Sequence, residues 1–171
     1  MTADSVSANT ASAAAFAELD ECHREIHVHL DRLGALANFL QGADADAAAQ
    51  AEAAAIEHFF STTSRQHHAD EEAKVFPPLL DSGNEELAAA VRTLQNDHGW
   101  IEENWIELGP QLRAIASGNH WVDPAEFLHA AQVFLELCLG HIALEESMIY
   151  PESKAYWAAA VARRTVRAAR A

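Results

Sequence analysis

Two stretches of the 171-residue sequence repeat one pattern, His67-x-x-x-Glu71-Glu72-x-x-Val75-Phe76-Pro77 and His141-x-x-x-Glu145-Glu146-x-x-Ile149-Tyr150-Pro151. On an α-helix, an imidazole and a carboxylate four residues apart differ by about 40° around the axis, so both can reach one ion from one helix. Iron, zinc, manganese and copper all accept these ligand types. The pattern therefore predicts a metal site built twice, with an aromatic-proline stop after each copy.

Further histidines at positions 23 and 98 place ligands on other parts of the chain. Turn signals stand at Gly42-Ala43-Asp44, Asp81-Ser82-Gly83-Asn84 and Ser117-Gly118-Asn119, where Gly, Asn and Asp supply turn conformations. If neighbouring helices are antiparallel, two residues share a level when the midpoint between them falls in the turn. For His23, His67, His98 and His141 the successive midpoints are 45, 82.5 and 119.5. Each coincides with a turn signal or lies beside it, so four helices are expected to bring one imidazole each to a single layer.

Those helices can be read from the apolar pattern. Helix one is expected over about Ala13 to Leu40, with Leu19, Ile26, Leu30, Leu33, Ala37 and Leu40 as its core stripe and His23 at the stripe's edge. Helix two is expected from about Asp46 to Phe76, with a further turn open through Leu79-Leu80. Helix three opens at Asn84 as N-cap and carries Leu87, Val91, Leu94, His98, Ile101, Trp105, Leu108, Leu112 and Ile115 on one face. The pattern resumes on both sides of Gly109-Pro110, which predicts a kink rather than an end. Helix four starts at Asp123-Pro124, a favoured cap and first position, and its stripe includes His141 and Glu145. A shorter amphipathic helix is expected over Glu152 to about Arg170.

The fold class that follows is all-α, an up-and-down four-helix bundle with an additional short C-terminal helix. Its parts are a flexible extension over 1–12, the bundle over 13–151 and the C-terminal helix over 152–171. A formal charge of −15 argues against nucleic acid, whose phosphates need a basic face. Arg163, Arg164, Arg167 and Arg170 read as a solvated face or a partner contact. Cys22 and Cys138 have neither zinc nor redox-pair spacing and are expected to be free, buried thiols. The start of the chain lacks a secretory pattern, and no run of eighteen apolar residues occurs, so the expectation is a cytoplasmic protein without a membrane partner.

A single buried His-Glu pair can be a structural hydrogen bond. Four at one level without a cation would leave unsatisfied and like-charged groups in an apolar layer, which favours metal for His23, His67, Glu71, His98, His141 and Glu145. Glu102 follows His98 by four and is either a seventh ligand or a carboxylate at the stripe's edge. His27 drifts off its stripe, to a place behind the ligands or in solvent, and His68, about 100° from His67, is expected at a helix interface, with ligation beside His67 as the alternative. Glu72 and Glu146 are placed to hydrogen-bond ligating imidazoles and fix their tautomers. His29, His58, His120 and His129 carry no assignment. Six or seven ligands exceed one tetrahedral ion, whereas two ions bridged by Glu71 and Glu145 share them and leave a position open.

The lone His23 in Cys22-His23-Arg24-Glu25-Ile26, His98 in Asn96-Asp97-His98-Gly99-Trp100-Ile101 and the two His-x-x-x-Glu motifs together resemble the hemerythrin-like, or HHE cation-binding, family over about residues 13 to 151. The resemblance implies an oxo- or hydroxo-bridged non-haem di-iron centre in a four-helix bundle, with zinc or manganese as substitutes. It also implies a small ligand such as dioxygen, nitric oxide or peroxide. Oxygen-carrying members place a second His four residues after the one on helix three, where this chain has Glu102, and a carboxylate there favours the ferric state over a reversible oxygen carrier. The functions the resemblance offers are ligand binding or sensing, a di-iron enzyme that decomposes peroxide, and iron storage, delivery or iron-sulfur repair. A bundle with a closed structural metal stands beside them. The repair branch carries an N-terminal cysteine segment that has no counterpart in this sequence. The resemblance leaves the assembly state open to a homodimer.

Overall fold

A computed structural model describes residues 3–168, with side chains from residue 16 onward. Among the described residues there is no strand, and four helical rods form the structure. The first rod is α1 (Ala3–Phe39). The second is a continuous path of α2 (Ala47–Phe59), a π-helical turn π1 (Phe60–Ser64), α3 (Arg65–Asp70), a second π turn π2 (Glu71–Val75) and α4 (Phe76–Leu80). The third is α5 (Glu85–Ala116), and the fourth joins α6 (Pro124–Leu144), π3 (Glu145–Ile149) and α7 (Tyr150–Ala168). α1 packs on α2 and α6, and α5 packs on the same two, the ring order of an up-and-down bundle.

The caps stand where local chemistry puts them. Asp46 accepts from the amide of Ala49, Asn84 from Glu86 and Leu87, and Asp123 from Ala125 and Glu126, each satisfying amides that a helix start leaves unpaired. Gly83 and Gly118 turn the chain at φ 77° and 69°, a region that a residue with a Cβ rarely enters. α5 runs on through Gly109-Pro110 as the resumed pattern requires.

The ends of the elements differ from the sequence reading. α1 begins at Ala3 rather than Ala13, over a stretch with no Gly or Pro to halt it. Met1, Thr2 and Arg170 lie outside the described residues. The expected stops at Pro77 and Pro151 do not occur, since α4 and α7 continue their rods. A proline breaks a helix because its ring meets the carbonyl four residues back and its nitrogen donates no hydrogen bond. Here those carbonyls belong to Ala73 and Ser147, inside π2 and π3, where the wider turn shifts them aside. The run Pro124–Ala168 is long and apolar enough to cross a membrane by length and composition. Its Phe127, Phe134, Ile142 and Ile149 are buried in the bundle.

The core is divided in two. One apolar cluster holds Ile26, Leu30, Leu33, Ile56, Phe60, Ile101, Trp105, Phe134 and Ile142, and the other holds Phe16, Val75, Phe76, Leu79, Leu94, Ile149 and Tyr150. In each rod the polar residues of the layer stand where the two clusters meet: His23, His67 with Glu71, His98, and His141 with Glu145. Each fully buried Leu, Ile or Phe contributes about 1.5–3 kcal/mol, so two such clusters can carry a central layer that by itself opposes folding.

Candidate metal centre

The central layer is assembled from all four rods. α1 supplies His23, α3 supplies His67 and His68, α5 supplies His98, and α6 supplies His141. Glu71 and Glu145 are the first residues of π2 and π3. Five residues beyond each carboxylate stands an aromatic that an ideal helix would turn about 140° away. The extra residue of the π turn rotates it back to the carboxylate's face. Phe76 consequently lies over His98, with centroids 5.7 Å apart and planes 20° apart, and Tyr150 stacks on His23 at 4.8 Å and 11°.

The two carboxylates are completely buried and stand between two sets of imidazoles. Glu71 Oε1 is 3.4 Å from His67 Nε2 and 4.0 Å from His23 Nε2, while its Oε2 is 3.5 Å from His98 Nε2. Glu145 Oε2 is 3.2 Å from His23 Nε2, and its Oε1 is 3.1 Å from His141 Nε2. Each carboxylate thus offers one oxygen to each set. Position A is bounded by His23, His67, Glu71 and Glu145, and position B by His98, His141, Glu71 and Glu145, with the donor atoms of each group within 4.8 Å of one another.

Carboxylates outside the layer fix two of the rings. Glu146 Oε1 lies 3.2 Å from His23 Nδ1, and Glu72 Oε1 lies 3.0 Å from His98 Nδ1. A proton held at Nδ1 leaves Nε2 to face inward with its lone pair, which is the tautomer a metal needs. The sequence reading gave Glu72 and Glu146 this task. Gln95 steadies Glu72 by donating to its Oε2 at 2.8 Å.

Two further residues join the site. His68 was expected at a helix interface, yet its ring stacks on His98 with centroids 4.3 Å apart, and its donor atom groups with those of His98 and His141. A side chain 100° from His67 cannot serve the same ion well, but it can address a neighbouring one. The adjacent pair His67-His68 was the available signal. Tyr150 is the other: its hydroxyl donates to Glu71 Oε1 at 2.5 Å and lies 3.1 Å from His23 Nε2.

Burial controls the protonation of the layer. Burial, reinforced by the charges of His23 and other imidazoles, holds His67 down to about 3, and burial with the neighbouring His98 and His141 puts His68 well below the ordinary imidazole range. Both are neutral. At His23 and His98 burial is outweighed by the carboxylates around them, and their values are raised. Burial and the adjacent Glu145 push Glu71 up to about 7. Burial also acts to raise Glu145, but His141 and His23 outweigh it and draw its carboxyl below the ordinary range. Burial, with the charges of Glu71 and Glu145, raises Tyr150 far above an ordinary phenol, so it keeps its proton.

The fit to cations can be read from what the layer leaves unpaired. His67 Nδ1 and Nε2, Glu71 Oε2, His141 Nδ1 and both oxygens of Glu145 are buried without a hydrogen-bond partner. His67 Nε2 and the three carboxylate oxygens lie among the donor atoms of the layer, and each such buried group costs about 1–3 kcal/mol if nothing satisfies it. Cations between them would remove that cost, and the donor set of neutral imidazole and carboxylate suits iron, zinc or manganese.

Of the residues proposed from sequence, His23, His67, Glu71, His98, His141 and Glu145 come together. Glu102 does not. It is 39 % exposed and pairs with the Arg65 guanidinium. α5 runs opposite to α3 and α6, so four residues beyond His98 lead about 6 Å away from the carboxylates rather than toward them. His27 on α1, which runs the same way as α5, likewise lies a turn beyond His23, and it is exposed. His29 stacks on Phe59 at 3.9 Å, and His58, His120 and His129 are exposed. Cys138 is buried and Cys22 half-buried; both are free thiols, and burial pushes Cys22 up to about 12.

The family described as hemerythrin HHE cation binding domain matches residues 14–153. An uncharacterised protein of Haemophilus influenzae is 27% identical over 128 residues, covering 74% of this chain and 72% of that protein. No solved structure matches the chain. The match spans most of the sequence and every residue of the central layer, and the chain belongs to the hemerythrin HHE cation-binding domain family.

Proposed function

We propose that this chain is a non-haem di-iron protein that binds or senses a small diatomic or peroxide ligand. The observation that carries the reading is the arrangement of Glu71 and Glu145, each with one oxygen toward each imidazole set. Buried carboxylates so placed serve two cations at once, and a lone cation would leave half their oxygens unpaired. His23 and His67 would hold one iron, and His68, His98 and His141 the other, with Glu71 and Glu145 shared. An iron pair held there would supply electrons to dioxygen or peroxide and a binding site for nitric oxide.

The chain's own residues set the conditions. Glu72 and Glu146 hold the rings of His98 and His23 in the ligating tautomer. Phe76 and Leu94 on one side, with Ile101 and Ile142 on the other, keep bulk water from the layer. Tyr150 retains its proton beside position A, so its hydroxyl can hydrogen-bond a ligand that arrives there. The same hydroxyl favours a second reading, decomposition of peroxide, in which it would donate to a departing oxygen. A cytoplasmic setting belongs to the proposal and agrees with two free thiols.

The test is to load the chain with iron, reduce it without air, record absorption, and then add air, azide or nitric oxide while counting iron. Two irons per chain with a ligand-dependent charge-transfer band support the reading, and oxygen release on adding peroxide would favour the second. A colourless protein with one zinc, indifferent to azide and nitric oxide, would overturn both.

A further inference from the structure

The centre has an internal two-fold relation. Motif one, with His67, Glu71, Glu72 and Phe76, matches motif two, with His141, Glu145, Glu146 and Tyr150, position by position. The relation extends to the lone histidines: Glu72 holds His98 Nδ1 as Glu146 holds His23 Nδ1, and Phe76 lies on His98 as Tyr150 lies on His23. Exchanging the motifs exchanges positions A and B.

Two residues of the layer break this relation. After His67 comes His68, but after His141 comes Ile142, which is buried and apolar. Position B therefore gains a third imidazole that A lacks. Where motif one ends in Phe76, motif two ends in Tyr150, whose hydroxyl lies against Glu71 Oε1 and His23 Nε2, two of A's donor atoms. A neutral hydroxyl is a poorer donor to a divalent ion than an imidazole.

We infer that His68 and Tyr150 make the two positions unequal, so that divalent ions load in a fixed order, B before A, and leave in the reverse order. The inference rests on the two-ion reading above. Position B fills first because His98 and His141 meet a carboxylate oxygen of each glutamate there, with the donor atom of His68 beside those two rings. Position A fills second, after Glu71 Oε1 gives up its hydrogen bond from Tyr150. A half-loaded protein with one ion in B is then a stable species.

The experiment titrates the metal-free full chain with Co(II), following its absorption and the bound metal by equilibrium dialysis. The wild type is expected to bind two ions in resolved steps, with dissociation constants at least about tenfold apart. His68→Ile, which copies the residue at 142, should weaken the tighter step about 10- to 100-fold, the range that loss of a supporting group produces in metal sites. Tyr150→Phe, which copies the residue at 76, should leave the tighter step unchanged. With both replacements the steps should merge into one. Ile142→His should tighten the weaker step, and it supplies the decision if circular dichroism shows that His68→Ile fails to fold. Two ions bound in one unresolved step by the wild type would overturn the order while leaving the two-ion reading intact, and binding of fewer than two ions would overturn both. A His68→Ile effect confined to the weaker step would also overturn the order.

Discussion

Glu145→Gln keeps the size of a buried side chain and removes its charge. In the metal-loaded protein the change reaches both positions, because Glu145 Oε2 and Oε1 lie 3.2 and 3.1 Å from His23 Nε2 and His141 Nε2. Glutamine leaves one acceptor oxygen and turns an amide N–H toward the other set. Even supporting groups outside the ligand shell change metal affinity about 10–100-fold, so 100-fold is a conservative loss for a shared ligand. Bound metal stabilises the fold in proportion to the logarithm of its affinity, so that loss costs about 2.7 kcal/mol. For a chain of this size this lowers Tm by about 5–10 °C. Without metal the loss should be smaller, because only the contacts of the charged carboxylate with His23 and His141, which draw Glu145 below the ordinary range, disappear, while the charge that helps push Glu71 up to about 7 is relieved. The metal-free variant should melt below the metal-free wild type by less than the loaded variant falls. Calorimetric melting of both proteins, loaded and stripped, reads the four values. An equal loss of Tm with and without metal would refute the reasoning and make Glu145 a structural hydrogen-bonding group.

The protonation pattern gives the stripped protein a stability optimum on the mildly acid side of neutrality. Glu71, His23 and His98 have raised values, so the folded state binds extra protons and their contribution is lost as pH rises, for Glu71 through about 7. His67, His68 and Glu145 have lowered values, so their contribution is lost as pH falls, for His67 from the ordinary 6.5 toward about 3. Metal needs deprotonated ligands, so the Tm gain on loading should grow from pH 5.5 to 8; a gain that shrinks over this range would contradict the pattern. Glu146→Ala and Glu72→Ala should each weaken metal binding about 10–100-fold through the loss of ring orientation, as measured by competition with a chelator. Glu102→Gln removes a partly exposed pair with Arg65, so metal content should stay the same and stability should change by less than about 1 kcal/mol. Loss of an ion in that variant would return Glu102 to the ligand set.

Much of the centre was legible because antiparallel rods obey simple arithmetic. Turn chemistry at 42–44, 81–84 and 117–119 located the levels of His23, His67, His98 and His141, and one-turn spacing tied Glu71 and Glu145 to their histidines. What failed was the assumption of a uniform 3.6-residue turn and of one ligand direction. π2 and π3 have no compositional signature in Glu71–Val75 or Glu145–Ile149; they arise because the carboxylate and the later aromatic must face the same interior. That rotation brings Tyr150 to His23 and carries the rods past Pro77 and Pro151. His68 stayed between an interface place and ligation because its angle was judged against one ion. Glu102 was counted because spacing was considered without chain direction.

The central claim about this molecule is that two cations lie between Glu71 and Glu145 and their flanking imidazoles. Anomalous scattering at the iron edge from crystals of the iron-loaded chain tests this directly. Two peaks per chain are predicted, one beside His23 and His67 and one beside His68, His98 and His141, with both carboxylates between them. A single peak, or iron bound elsewhere with the layer closed by protein hydrogen bonds, would contradict it.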